Sequence, residues 1–268
     1  MADWSKILSR GNVEDRRSFS PASIGGGIGF TGLALFLLFN YLTTGQINVN
    51  DVLTGLEQTQ VATQQFDTSA FEGADTYEVF ASTVLGSTND MWRDVFAKQN
   101  ETYTEPSLVL FRGATESACG GADSSYGPHY CPDDQKIYLD ETFFDELSKL
   151  GGAGDVAQAY VIAHEVGHHV QNQLGLLDEN STQENSIATE LQADCFAGLW
   201  AYSIRDKGVF VPGEIKEALD AAAAVGDDRI QSTYEGRVNP ETWTHGSSEQ
   251  RVGAFNKGFE TGALSACL

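Results

Sequence analysis

Residues 160–171 read YVIAHEVGHHVQ, and the way this stretch lies on a helix decides the fold. At about 100° per residue, Ala159, Ile162, Ala163, Val166 and Val170 form one apolar stripe. His164 and His168, one turn apart, project from the other side, with Glu165 beside them. The stripe would seat the helix in a core while two imidazoles converge on one metal ion. This is the HExxH pattern, whose glutamate is free to take a proton from a metal-activated water. The plain alternative is an amphipathic helix with polar residues on its wet face. Against it, three of the chain's five histidines stand at 164, 168 and 169. Gly167 would also let a second backbone close against this helix.

A hydrolytic zinc takes three protein ligands and a water, so a third ligand is expected. The helix predicted over 182–206 contains ELQADCFAG, in which Glu190, Ala193, Asp194, Ala197 and Ala201 share one face. Small residues let that face approach the histidine helix closely. Glu190 is then the metal ligand, and Asp194, one turn on, accepts the second N–H of a ligand histidine. A solvated acidic face is the alternative for both carboxylates. His245, on a Gly-containing loop before a helix start, is the candidate donor to a tetrahedral oxyanion. Tyr160 is a second candidate donor, and Arg251 could reach the site from the following helix. His169 lies off the metal face and reads as structural, and His129 reads as a loop residue.

Working outward, helices are predicted near 141–150, 155–174, 182–206, 213–225 and 247–261, with an earlier helical pattern from about residue 75. Strands are predicted over 107–111 (SLVLF) and 136–139 (KIYL). Asp155 with Gln158, Ser181 with Glu184, and Ser247 with Gln250 each have capping-box spacing. Gly175 stands where a left-handed cap would end the histidine helix. The fold class is therefore α+β, mostly helical with a small sheet. The KIYLD strand would suit an extended peptide added along a sheet edge.

The chain has 268 residues and a net charge of −22, from 38 acidic and 16 basic residues. So acidic a surface repels phosphate backbones and argues against a nucleic-acid partner. Residues 24–42 carry no charge, follow four basic residues, and as a helix would span roughly 28 Å. We expect one transmembrane anchor there, against the alternative of a buried core helix. Residues 1–23 would then be a cytoplasmic segment, 43–74 a polar tether, and 75–268 an extracytoplasmic metallopeptidase domain. No small-x-small cleavage site follows the apolar run, so the anchor is expected to be retained.

The four cysteines, 119, 131, 195 and 267, all lie beyond that anchor. Four cysteines allow three pairings. Cys119 with Cys131 would close a short polar loop, contributing about 3 kcal/mol on a chain-entropy model. Cys195 with Cys267 would then tie the C-terminus to a helix. The alternative leaves Cys195 as a small buried residue and Cys267 as a free thiol.

HEVGHH followed by ELQADCFAG resembles the neutral zinc metallopeptidase family of membrane-anchored bacterial proteins. More broadly it is similar to the gluzincins, whose third ligand is the glutamate of an ExxxD helix. NVEDRR and GGGIG near the start, ACGGADSSYGPHYCPDDQKIYLD in the middle and THGSSEQRVGAFNKGF near the end extend the likeness over most of the chain. The resemblance implies Zn2+ held by His164, His168 and Glu190, with catalysis by Glu165. The expected activity is hydrolysis of protein or peptide. The competing expectation is a catalytically inactive, zinc-stabilised binding or scaffold module on the membrane.

Overall fold

The structure, a computed structural model, describes residues 1–17, 76–177 and 182–268. The expected anchor at 24–42 and tether at 43–74 lie outside the described residues. Among those described, no helix is long and apolar enough to cross a membrane.

Strand β1 (Val13–Asp15) precedes helix α1 (Thr76–Lys98). Strands β2 (Ser107–Phe111), β3 (Ala114–Ser117), β4 (Gly120–Asp123), β5 (His129–Cys131) and β6 (Lys136–Asp140) follow. Helices α2 (Phe143–Lys149), α3 (Asp155–Gln173), α4 (Gln183–Ile204), α5 (Ile215–Ala224), α6 (Asp227–Tyr234), α7 (Ser248–Thr261) and α8 (Leu264–Cys267) complete the chain. This is the expected mostly helical α+β arrangement. One sheet has the order β1-β2-β6-β5, parallel except for the antiparallel β5–β6 pair, and β3 and β4 form a separate hairpin. KIYLD is therefore an interior strand with Tyr138 and Leu139 buried. The edge beside the helices is β5, three residues too short to show a pattern in sequence.

Helix α3 lies at the centre and packs on α1, α4 and α5, with β5 and β6 at its flank. Its predicted stripe, Ala159, Ile162, Ala163, Val166 and Val170, is fully buried. A Cβ at Gly167 would stand 3.0 Å from the Ala193 Cα, so glycine permits the close α3–α4 approach. The α3 C-terminus is a Schellman motif: Leu176 N–H donates to Gln171 O and Gly175 N–H to Asn172 O, with Gly175 left-handed at φ 66°.

The caps differ in part from expectation. The Ser247–Gln250 capping box forms on α7, but α4 is capped by Thr182 and α3 by Gly154. Asp155 is drawn away from capping because its carboxylate accepts from Ala2 N and Trp4 Nε1, at 2.8 and 2.7 Å.

Residues 1–17 consequently belong to the domain and are no separate polar segment. Ala2 and Ile7 are buried, and Trp4 stacks on Trp200 at 6.4 Å and meets Phe80 edge-on. The NVEDRR motif is the β1 edge: Glu14 pairs with Arg16 and Lys136, and Arg17 bridges Asp15 and Glu141. Because β1 is hydrogen-bonded to β2, residues 17 and 76 leave one folded unit.

Both expected disulfides are present. Cys119–Cys131 ties the β3–β4 region to the end of β5, and Cys195–Cys267 ties α8 to α4.

Candidate metal centre

Helix spacing brings the two α3 imidazoles together, with ring centroids 4.7 Å apart at 90°. The Nε2 atoms of His164 and His168 lie 3.1 Å from each other. The Glu190 carboxylate closes the triangle, with Oε2 3.1 Å from His164 Nε2 and Oε1 3.4 Å from His168 Nε2. One ligand atom from each residue falls within 4.8 Å of the others. Helix packing across Gly167 and Ala193 puts Glu190 there, as the small-residue face of α4 implied.

Each ligand ring is held from behind. His164 Nδ1 donates to Asp194 Oδ1 at 2.8 Å, and His168 Nδ1 donates to Gln171 Oε1 at 2.8 Å. Gln171 is itself fixed, donating to Thr189 O and Gln192 Oε1. These bonds present both Nε2 lone pairs to the space between the rings. Asp194 also accepts two bonds from Arg251, at 2.8 and 3.0 Å, and one from the Tyr160 hydroxyl. Tyr160 and Arg251, candidates for direct action on substrate, are thus largely committed to holding Asp194.

The electrostatics favour a cation. Burial works against charge on His164, but Asp194 and Glu190 overcome it and push its pKa up to about 10. Burial likewise opposes ionisation of Glu190, and the neighbouring histidines hold its carboxyl well below the usual range. Arg251 already offsets the charge of Asp194, which leaves the Glu190 carboxylate facing the two imidazole Nε2 atoms, where a cation would be held. The donor set, two imidazole nitrogens and one carboxylate, is one that catalytic zinc uses with a water as fourth ligand. The residues present therefore fit a divalent metal ion.

Glu165 stands beside these ligands, 6% exposed, and its buried Oε2 has no hydrogen-bond partner among the described residues. An unpartnered buried carboxylate oxygen is costly in a fold that gains nothing from it. His164, Glu165, His168 and Glu190 all line one cavity of about 510 Å³. His129 and Tyr130 of β5 border the same space, as do Tyr160, Arg251 and His245. His129 is thus part of the cavity wall, whereas the sequence reading made it a loop residue.

His245 is held by a carboxylate that sequence reasoning missed. Asp227 Oδ2 accepts the backbone N–H groups of Thr244, His245 and Gly246 at 2.8, 2.7 and 3.0 Å. Its Oδ1 lies 3.1 Å from His245 Nδ1. Despite its burial, these donors hold the Asp227 carboxyl below its ordinary range. Asp227 opens the short polar helix α6, where a carboxylate ordinarily serves only the helix dipole, so its sequence carried no signal.

A family profile described as "Putative neutral zinc metallopeptidase" matches residues 2–268. The chain belongs to that family. It is 44% identical over 280 residues to "Uncharacterized protein YpfJ" of Escherichia coli (strain K12), covering 98% of this chain and 97% of the relative. It is 46% identical over 182 residues to "Uncharacterized protein Rv2575" of Mycobacterium tuberculosis, covering 62% of each. No solved structure matches it. As a member of this family it carries a His-His-Glu group able to hold a metal ion.

Proposed function

We propose that the protein is a zinc-dependent peptidase in which Glu165 is the general base. The observation that carries this is the buried, unpartnered Glu165 Oε2 beside the converging His164, His168 and Glu190 ligand atoms. A purely structural metal site has no use for a free carboxylate at its open side. Bound there, zinc would supply Lewis acidity, bringing the pKa of a coordinated water to roughly 7.

Glu165 accepts the proton of the attacking water and passes it to the leaving amine. Held by Asp227 through Nδ1, the protonated form of His245 donates through Nε2 to the oxyanion that develops on the scissile carbonyl. The outer edge of β5, which has no strand partner among the described residues, takes an extended substrate through backbone hydrogen bonds. That requirement favours unfolded or flexible polypeptide over folded protein. The two disulfides support an oxidising location outside the cytoplasm. Attachment to a membrane through the apolar 24–42 stretch belongs to the same reading.

Digestion of a mixed-peptide pool, read by mass spectrometry, tests the proposal and reports cleavage preference. Zinc-loaded protein should cut peptides, and Glu165→Gln should retain zinc while losing cleavage. Equal cleavage by the two proteins would remove Glu165 from the mechanism. No cleavage by either would favour the inactive binding module.

A further inference from the structure

His169, the third histidine of HEVGHH, has no part in the metal site, yet it is completely buried. Its Nε2 lies 2.6 Å from Thr104 O. The Gln173 side-chain amide nitrogen lies against the same Nε2 and shares that carbonyl; since a carbonyl can only accept, Nε2 donates to Thr104 O and Nδ1 is left as an acceptor. Nδ1 lies 3.1 Å from the Tyr130 hydroxyl, which therefore donates to it. The Tyr130 oxygen in turn accepts from Asn172 Nδ2 at 2.9 Å. The Tyr130 and Tyr103 rings meet His169 edge-on at 5.3 and 5.7 Å.

Tyr130 is the middle residue of β5. That strand has three residues, and among the described residues its only ladder is the one with β6. So short an edge strand, paired on one side, is weakly held by its backbone bonds alone. Its C-terminal residue is secured by the Cys119–Cys131 bridge, and its centre by the Tyr130 hydroxyl on α3. The same helix turn carries the ligand His168 and, one residue on, His169.

We propose that His169 is a positioning residue that, through Tyr130 and with Asn172, holds the β5 edge in register with the metal ligands so that extended polypeptide is bound productively. The proposal rests on the peptidase reading for the role of β5, but its geometry belongs to the chain itself. A merely structural histidine would affect stability and leave substrate binding unchanged.

Tyr130→Phe is the mild test, because it keeps the ring and removes only the hydroxyl. His169→Gln is its companion. For zinc-loaded protein acting on reduced, carboxymethylated casein, both variants should raise KM about fivefold or more with kcat within about twofold. Zinc content should match the wild type. An unchanged KM beside a lowered Tm would overturn the proposal, as would parallel loss of kcat and zinc. Casein binding in a Glu165→Gln background separates this from the peptidase reading. Wild-type protein that cuts nothing sinks that reading, while Tyr130→Phe must still weaken casein binding about fivefold. Absent or unaltered casein binding there overturns the role of His169.

Discussion

Three backbone amides at residues 244–246 converge on one oxygen of Asp227, and its other oxygen faces His245 Nδ1. The carboxylate thereby shapes the loop and, with the Thr244 hydroxyl, orients the ring. Asp227→Asn replaces one acceptor oxygen with an amide donor, which breaks part of this hold on the loop and the ring. We expect kcat to fall by up to about 10²-fold, with KM and zinc content little changed, in steady-state assays paired with metal analysis. An unaltered kcat would place His245 outside the chemistry. Asp194 is the counterpart on α4, where one carboxylate serves His164, Tyr160 and Arg251. Asp194 was readable because helical periodicity puts it one turn from Glu190 on an alanine face. Gln171 and Asp227 were not, since neutral amides and helix-start acids occur everywhere and only tertiary contact gives these two a partner.

Helices α3, α4 and α7 were predicted to within about two residues at each end, because each combines a 3.6-residue apolar pattern with a recognisable start or stop. β1 and β5 escaped notice for a physical reason: three residues cannot display alternation, and β1 also takes its ladder partner, β2, from far along the chain. Helix α6 escaped because none of its residues is buried, leaving no apolar stripe to detect. Helix contact also explains how Arg251 reaches Asp194. A Cβ on Gly198 of α4 would lie 2.1 Å from Phe255 O, and one on Gly258 of α7 would lie 2.0 Å from Cys195 O. The two backbones therefore touch. Gly198→Ala should force α7 outward at a cost of about 3 kcal/mol, lowering Tm by roughly 6 °C or more in thermal unfolding. A Tm equal to wild type would mean the helices separate freely.

Residues 1–17 are built into the same core as the metal helix, through β1, Trp4 and the bonds to Asp155. The apolar character of 24–42 is evident in sequence, and with β1 paired to β2 we predict that the segments before and after it lie on one side of a membrane. Single cysteines at Leu8, which is 88% exposed, and at the exposed Glu101 test this directly. With the native cysteines paired, a membrane-impermeant maleimide should label both positions or neither in intact cells. Labelling of one alone would contradict the β1–β2 ladder. Around that shared core, the account depends on His164, His168 and Glu190 holding one metal ion. Elemental analysis of the purified whole chain, equilibrated with zinc and freed of excess, measures this. We predict one zinc per chain in the wild type and in Glu165→Gln, with loss of most of it in Glu190→Ala. A metal-free wild type, or full zinc retention without Glu190, would contradict the account.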